Sequence, residues 1–354
     1  MQLDQNWFLE TISGKRNGLL PGASRCLLFL ISLVYRLIIV ARNWAYDTGW
    51  KRTYQAQLPV ISIGNLTTGG TGKTPMVIWL AKRLGQDREV TVISRGYGSQ
   101  DGNLNDEGLE IEQSCPRVSL IQNPDRVAAV YQLDSNAGSV VVLDDAFQHR
   151  RLHRDLDIVL IDASNPFGHG FVLPRGLLRE PVKQIRRSDL VILTRANLIE
   201  RKDRDAIRQR LQQHHAALNW AEAELKLKGW RDANDVEHPL GALDHQKIFA
   251  FSAIGNPGGF IETLKRLDVD LVGEKRLNDH HSFNHADLEA IHQAAAEKNA
   301  EAIVCTMKDF VKVRSMQIPG LPVYALATEL QFSAGLELID RLLNQTLSEL
   351  EDSR

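Results

Sequence analysis

VISIGNLTTGGTGKTP, from Val60 to Pro75, decides the fold class of this chain. An apolar, β-branched run reads as a buried strand, the glycines read as a turn, and the residues after Gly72 open a helix. In that order they make a phosphate-binding loop. Glycines let several backbone N–H groups converge on phosphate oxygens, and the helix turns its positive dipole end toward the same anion. Thr67, Thr68, Gly69, Gly70, Thr71, Gly72, Lys73 and Thr74 are the expected nucleotide-binding residues. Lys73 is placed to reach the β- and γ-phosphates, and Thr74 to offer its hydroxyl to Mg²⁺. The strict G-x-x-x-x-G-K-[ST] pattern asks for glycine at position 67; Thr67 stands there, and Gly69 and Gly70 supply the glycines instead.

Outward from the loop, short apolar runs alternate with helical stretches. Val60–Ile63, Val90–Ser94, Ser139–Leu143, Ile158–Ile161 and Leu190–Thr194 read as strands. The alternation implies an α/β fold, a P-loop NTPase-like, mostly parallel sheet covered by helices on both faces. A charged helix is expected over Glu200–Leu218, then a linker or short ribbon, then a smaller α/β domain. That second domain would hold strands at Lys247–Ala253, Ala302–Thr306 and Pro322–Ala327, and a helix near Asp287–Lys298. The expected divisions are residues 1–50, 51–220, 221–246 and 247–354.

A chain of 354 residues, 43% hydrophobic and 24% charged, is long enough for two globular domains. The net charge of −2 gives no general attraction to nucleic acid. Cys26, Cys115 and Cys305 lie far apart without C-x-x-C spacing, so neither a zinc site nor a disulfide framework is indicated.

From Cys26 to Ala41 the sequence is nearly all apolar, interrupted by Ser32 and Arg36. It falls short of the ~20 apolar residues of a typical membrane span. A buried core helix, an interfacial anchor and a spanning helix all remain open. Flanking Lys15, Arg16, Arg25 and Arg42, with Trp44 and Trp50 just beyond, favour the interface, where cationic stems and indole rings are at home.

Three polar clusters carry chemistry. The strand GSVVVLDD ends in Asp144 and Asp145, where a P-loop protein places the acid that orders Mg²⁺. Asn105-Asp106-Glu107-Gly108 reads as an acidic loop. Asn278-Asp279-His280-His281-Ser282-Phe283 holds two adjacent histidines, which point apart in a turn and are poor joint ligands for one metal. One of them acting as a base or an orienting group is easier to build.

The set GNLTTGGTGKTP, SRGYG, NDEG, DDAFQHRRL, LPRGLLREP, FSAIGNPGGF, NDHHSFN and TMKDFVK, in this order over roughly residues 20–330, closely resembles the tetraacyldisaccharide 4'-kinase family of the Gram-negative lipid A pathway. The resemblance implies transfer of the ATP γ-phosphate to the 4'-hydroxyl of an acylated disaccharide lipid, at the cytoplasmic face of the inner membrane. It implies ATP and Mg²⁺ as cofactors, a peripheral or monotopic association, no nucleic acid and no obligate protein partner. On its motifs, Asp106 is the catalytic acid–base residue, with a partner histidine that is either His280 or His281; Asp144 and Asp145 are the paired acids, and Glu107 joins the Mg²⁺ shell. Arg150, Arg151 and Arg179 are candidate contacts for the anionic lipid head, because a guanidinium grips phosphate bidentately. Ala146, Arg175 and Leu177 depart from the family's usual residues at their positions. The polar chemistry is expected to assemble on domain closure, which excludes water as a competing acceptor.

Two rivals share the fold. A dimeric ATPase of the ParA/MinD type carries a signature lysine where this chain has Thr68, and a regulatory GTPase needs an Asp that Thr194-Arg195-Ala196-Asn197 lacks.

Overall fold

The computed structural model describes residues 5–96, 104–134, 138–279, 281–314, 316 and 320–352. In chain order its first elements are α1 (Gln5–Ser13), α2 (Leu19–Asp47), β1 (Val60–Asn65), α3 (Lys73–Leu84), β2 (Glu89–Ser94), α4 (Asp106–Ser114), β3 (Ser119–Gln122), α5 (Arg126–Tyr131), β4 (Ser139–Asp144), β5 (Leu156–Asp162) and β6 (Leu190–Thr194). There follow α6 (Arg201–Gln212), β7 (Trp220–Arg231), β8 (Glu237–His238), β9 (Lys247–Ser252), α7 (Pro257–Leu264), β10 (Asp270–Arg276), α8 (His285–Glu297), β11 (Ala302–Thr306), α9 (Met307–Val313), β12 (Val323–Ala334) and α10 (Leu336–Asp352).

The chain forms two compact units: Met1–Arg95 with Asn123–Glu224 and Gln331–Arg354, and Gly96–Gln122 with Leu225–Leu330. Two stretches therefore sit elsewhere than the linear divisions expected. Gly96–Gln122 belongs with the second unit because α4 packs on α9. The C-terminal helix α10 belongs with the first, where it buries Ile339, Leu343 and Leu347. Residues 221–246, expected as a linker or ribbon, form most of β7 and its antiparallel partner β8.

In the first unit the strand order is β7-β6-β5-β1-β4-β2, and every neighbouring pair is parallel. Helices cover both faces, so the strands are apolar throughout rather than alternating; β1, β4 and β6 bury nearly every residue. The register sets Ile63 beside Asp144 and Asp162 beside Thr194, which aligns the C-terminal ends of β1, β4, β5 and β6 along one edge. The connection from β1 runs to β2 and that from its neighbour β5 runs the other way to β6, which makes the β1–β5 edge the kind of place where open α/β sheets bind ligands.

Helix α2 is 29 residues long, but among its side chains only Ser32, Asn43 and Ala45 are buried. Leu27, Leu30, Val34, Leu37 and Ile38 are each 59–69% exposed. The core-helix alternative fails on this observation, since the apolar stripe faces away from the unit that the polar residues fasten.

The second unit holds the parallel order β10-β9-β11-β12. Its core is built on Phe249, Phe251, Ile303 and Phe310. Strand β10 was not expected: it is an edge strand whose residues are mostly half-exposed, so its sequence lacks a strong apolar pattern.

Candidate active site

The turn after β1 is braced from three sides. Asn65 Nδ2 donates to Thr71 Oγ1 at 2.9 Å, and Thr194 Oγ1, at the end of β6, donates to the Thr71 carbonyl at 2.9 Å. Thr68 N donates to the Leu177 carbonyl at 2.8 Å, and Arg179 N to the Leu66 carbonyl at 2.7 Å. Gly69 and Gly72 adopt φ of 108° and 86°, values that require glycine, and Gly72 caps α3 so that Lys73 and Thr74 begin the helix. The expected loop, Thr67 to Thr74, is thus a fixed turn opening a helix N-terminus.

The two acids at the end of β4 part ways. Asp144 is buried, and its carbonyl accepts from Arg126 Nη2 at 2.7 Å. Asp145 takes φ of 50° and turns its carboxylate to Lys73 Nζ at 3.7 Å, while Arg179 Nη1 donates to both its oxygens at 2.8 Å. Burial opposes ionisation of Asp145, but Lys73 and Arg179 outweigh it and hold the carboxyl below its usual range. The positive φ falls on Asp145 rather than on Ala146, which is why alanine fits where glycine is usual.

No three His, Cys, Asp or Glu side chains converge on a preformed metal site among the described residues. Mg²⁺ takes one or two carboxylates plus phosphate oxygens and water rather than a protein cage. The hard oxygens of Thr74, Asp144 and Asp145, beside the phosphate loop, are the right donor chemistry.

Of the arginines expected at the lipid head, Arg179 is held on Asp145 and Gln148. Arg150 donates to the Asn43 carbonyl at 3.0 Å and to Asp47 Oδ1 at 2.7 Å, so it fastens the end of α2. Arg151 is half-exposed beside Asp125 at 3.6 Å. Arg175 reaches the Ile12 carbonyl at 2.8 Å and ties α1 down.

Residues not singled out from sequence also gather here. Arg126 is buried behind both acids. Gln148 Nε2 donates to the Asn65 carbonyl at 2.9 Å. His149 is pushed down to about 4 by burial and by Arg126, Arg151 and Arg154, and its Nε2 is buried without a hydrogen-bond partner. For Gln148 and His149 the signal was adjacency to the acids within DDAFQHRR; nothing local marks Arg126 as buried.

In the second unit, Asn105-Asp106-Glu107-Gly108 is a helix start rather than a loop. The Asn105 side chain caps α4 by accepting from Gly108 N at 2.9 Å, and Asp106 and Glu107 occupy the first turn, where the helix dipole favours carboxylates. Asparagine followed by two acids was the available sequence signal. Asp106 Oδ2 meets Lys312 Nζ at 2.6 Å. His281 Nε2 pairs with Asp287 Oδ2 at 2.9 Å, and His280 lies outside the described residues. One turn beyond Asp106, Glu110 is pushed up to about 7 by burial and by Glu107.

Comparison with known proteins places these features in a family. Residues 24–347 match the family model described as tetraacyldisaccharide-1-P 4'-kinase. A tetraacyldisaccharide 4'-kinase of Syntrophus aciditrophicus is 36% identical, over 86% of this chain and 88% of its own length. One from Geobacter sulfurreducens is 35% identical, over 90% and 93%. Among solved structures, LpxK from Aquifex aeolicus in complex with ATP superposes with a TM-score of 0.71 at 29% identity, covering 91% of this chain and 99% of that one.

Proposed function

This chain belongs to the tetraacyldisaccharide-1-P 4'-kinase family, and on that premise we propose how its own residues carry out the reaction. It is an ATP-dependent kinase that transfers the γ-phosphate to the 4'-hydroxyl of a tetraacyldisaccharide 1-phosphate in lipid A biosynthesis. The observation that carries the residue assignment is the Lys73–Asp145–Arg179 cluster beside a braced phosphate loop.

Phosphoryl transfer asks a protein mainly for positioning and charge neutralisation. The loop from Thr67 to Thr74 cradles the phosphates, and Lys73 meets the charge developing on the transferring group. Thr74, Asp144 and Asp145 would hold Mg²⁺, which would neutralise phosphate charge there, with Glu107 a further oxygen donor of the right type. Asp145 ties Lys73 and Arg179 together and keeps both cations in place before nucleotide arrives. A sugar hydroxyl is a poor nucleophile at neutral pH, so Asp106 takes its proton as the O–P bond forms. His280 or His281 orients Asp106 or passes the proton on. Arg151 and Arg179 are the guanidinium contacts for the lipid head; Arg150 acts through α2, which it fastens.

The apolar stripe of α2 lies in the membrane interface at the cytoplasmic face of the inner membrane. Ser32, Tyr35, Asn43 and Ala45 hold the opposite side of the helix to the first unit, which argues against insertion of the whole helix across a bilayer. A substrate with several acyl chains stays in the bilayer, so an enzyme held on the surface meets it in two dimensions.

ATP turnover measured with and without the acylated disaccharide 1-phosphate tests the activity. Turnover should require the lipid, and the product should carry a new phosphate at the 4'-position by mass spectrometry and NMR. ATP hydrolysis indifferent to the lipid would overturn it.

A further inference from the structure

We infer that Lys312 helps to position Asp106 for proton transfer, an inference that rests on Asp106 being the base. Three motifs distant in sequence meet at one ammonium group. Lys312 Nζ lies 2.6 Å from Asp106 Oδ2, at the first turn of α4, and donates to the His281 carbonyl at 3.2 Å, in the loop before α8. Its own backbone is in α9, which packs on α4. The ring of Phe283 lies 5.8 Å from Nζ.

Burial separates this pair from an ordinary surface ion pair. The Lys312 side chain is 8% exposed and that of Asp106 20%. An exposed pair is worth ~0–1 kcal/mol and fixes no geometry, because both side chains remain mobile in water. A lysine enclosed by a carboxylate, a carbonyl and an aromatic face has few other rotamers, so it fixes the carboxylate it holds. Lys308, one turn earlier on α9, meets Asp279 at 3.3 Å, and the His281 ring meets Asp287. Lys312 thus sets the position of Asp106 and of the His281 backbone together. A base must stand within about 3 Å of the proton it takes. A displacement of about 1 Å costs on the order of a hundredfold in rate.

The experiment uses the full chain in detergent micelles with ATP and the acylated disaccharide acceptor. It compares Lys312→Met, Lys312→Arg, Asp106→Ala and the Asp106→Ala/Lys312→Met double variant. Lys312→Met should lower kcat roughly ten- to hundredfold with the KM for ATP and the melting temperature little changed, and Lys312→Arg should recover a large part of the loss. In the Asp106→Ala background the lysine change should add no more than about twofold, since residues that act as a unit are not additive. A kcat for Lys312→Met within twofold of the parent, with Asp106→Ala inactive, overturns the inference. So does a loss that multiplies in full onto that of Asp106→Ala, or one that appears only as lowered melting temperature. Full activity in Asp106→Ala instead removes the base assignment, and the inference with it. Should Lys312→Met fail to fold, Lys312→Gln, which keeps a donor but no charge, takes its place in the same comparison.

Discussion

The Tyr35 hydroxyl, on the apolar N-terminal helix, donates to the backbone carbonyl of Arg179 at 2.9 Å. Arg179 in turn donates its N–H to Leu66 in the phosphate loop and its guanidinium to both oxygens of Asp145. One residue therefore touches the apolar helix, the loop and the acid. Burial and the neighbouring Glu180 push the Tyr35 phenol up, so it stays a donor at every physiological pH. Arg42 reinforces the link by donating to the Gln148 carbonyl at 2.6 Å.

Tyr35→Phe should therefore reduce kcat several-fold while leaving vesicle binding unchanged, because the ring keeps its packing and loses the bond to Arg179. The accompanying loss of stability should be about 0.5–1.5 kcal/mol, the net worth of one hydrogen bond. Steady-state kinetics and denaturant titration measure the two. Parental kcat with only the stability changed would show that α2 does not position Arg179.

Lys73→Ala removes charge aimed at the transferring phosphate and also strips Asp145 of one of its two cations. Turnover should fall on the order of 10²–10³-fold. Melting temperature should change little, since Arg179 still holds the carboxylate. Near-normal kinetics would remove the phosphate-loop assignment.

Changing Leu30, Val34, Leu37 and Ile38 together to glutamine alters only the exposed stripe of α2 and leaves Tyr35 and Asn43 in place. Each buried aliphatic side chain contributes roughly 1.5–3 kcal/mol. Sedimentation with vesicles should show most of the bound fraction lost, with soluble-state stability retained or improved. Undiminished binding would place the membrane contact elsewhere, for example on α1.

Between about pH 4 and 7, Glu110 and His149 should pull stability in opposite directions. Glu110 has its folded-state value raised to about 7, so its contribution is full below the unfolded value and is lost as pH rises through 7. His149 has its value depressed to about 4, so its contribution is present above the unfolded value near 6.5 and is lost as pH falls through 4. Relative to the parent, Glu110→Gln should remove a loss of stability that accrues as pH rises from about 4.5 to 7, and His149→Asn a loss that accrues as pH falls from about 6.5 to 4. A profile unchanged by either variant would count against these environments.

Local sequence determined the phosphate loop, because a buried strand, a tight glycine turn and a helix start are all short-range properties of the backbone. Val60 to Thr74 states them in order, and the strand ending in Asp144-Asp145 follows from the same logic. The exposed stripe of α2 was half legible. Its apolar run and basic flanks were plain, but burial on one side and exposure on the other depend on what the rest of the chain presents to Ser32, Tyr35 and Asn43. The start of α4 carried a capping signal in Asn105 that its acidic composition masked. Only the tertiary structure could set Arg126 behind the acids, pair His281 with Asp287, seat Lys312 on Asp106, and divide Gly96–Gln122 from the strands on either side of it in sequence. Apart from His281–Asp287, which are near neighbours in the chain, these contacts join segments far apart in sequence. A charged side chain reads as surface until packing closes over it and supplies the partner that makes burial affordable.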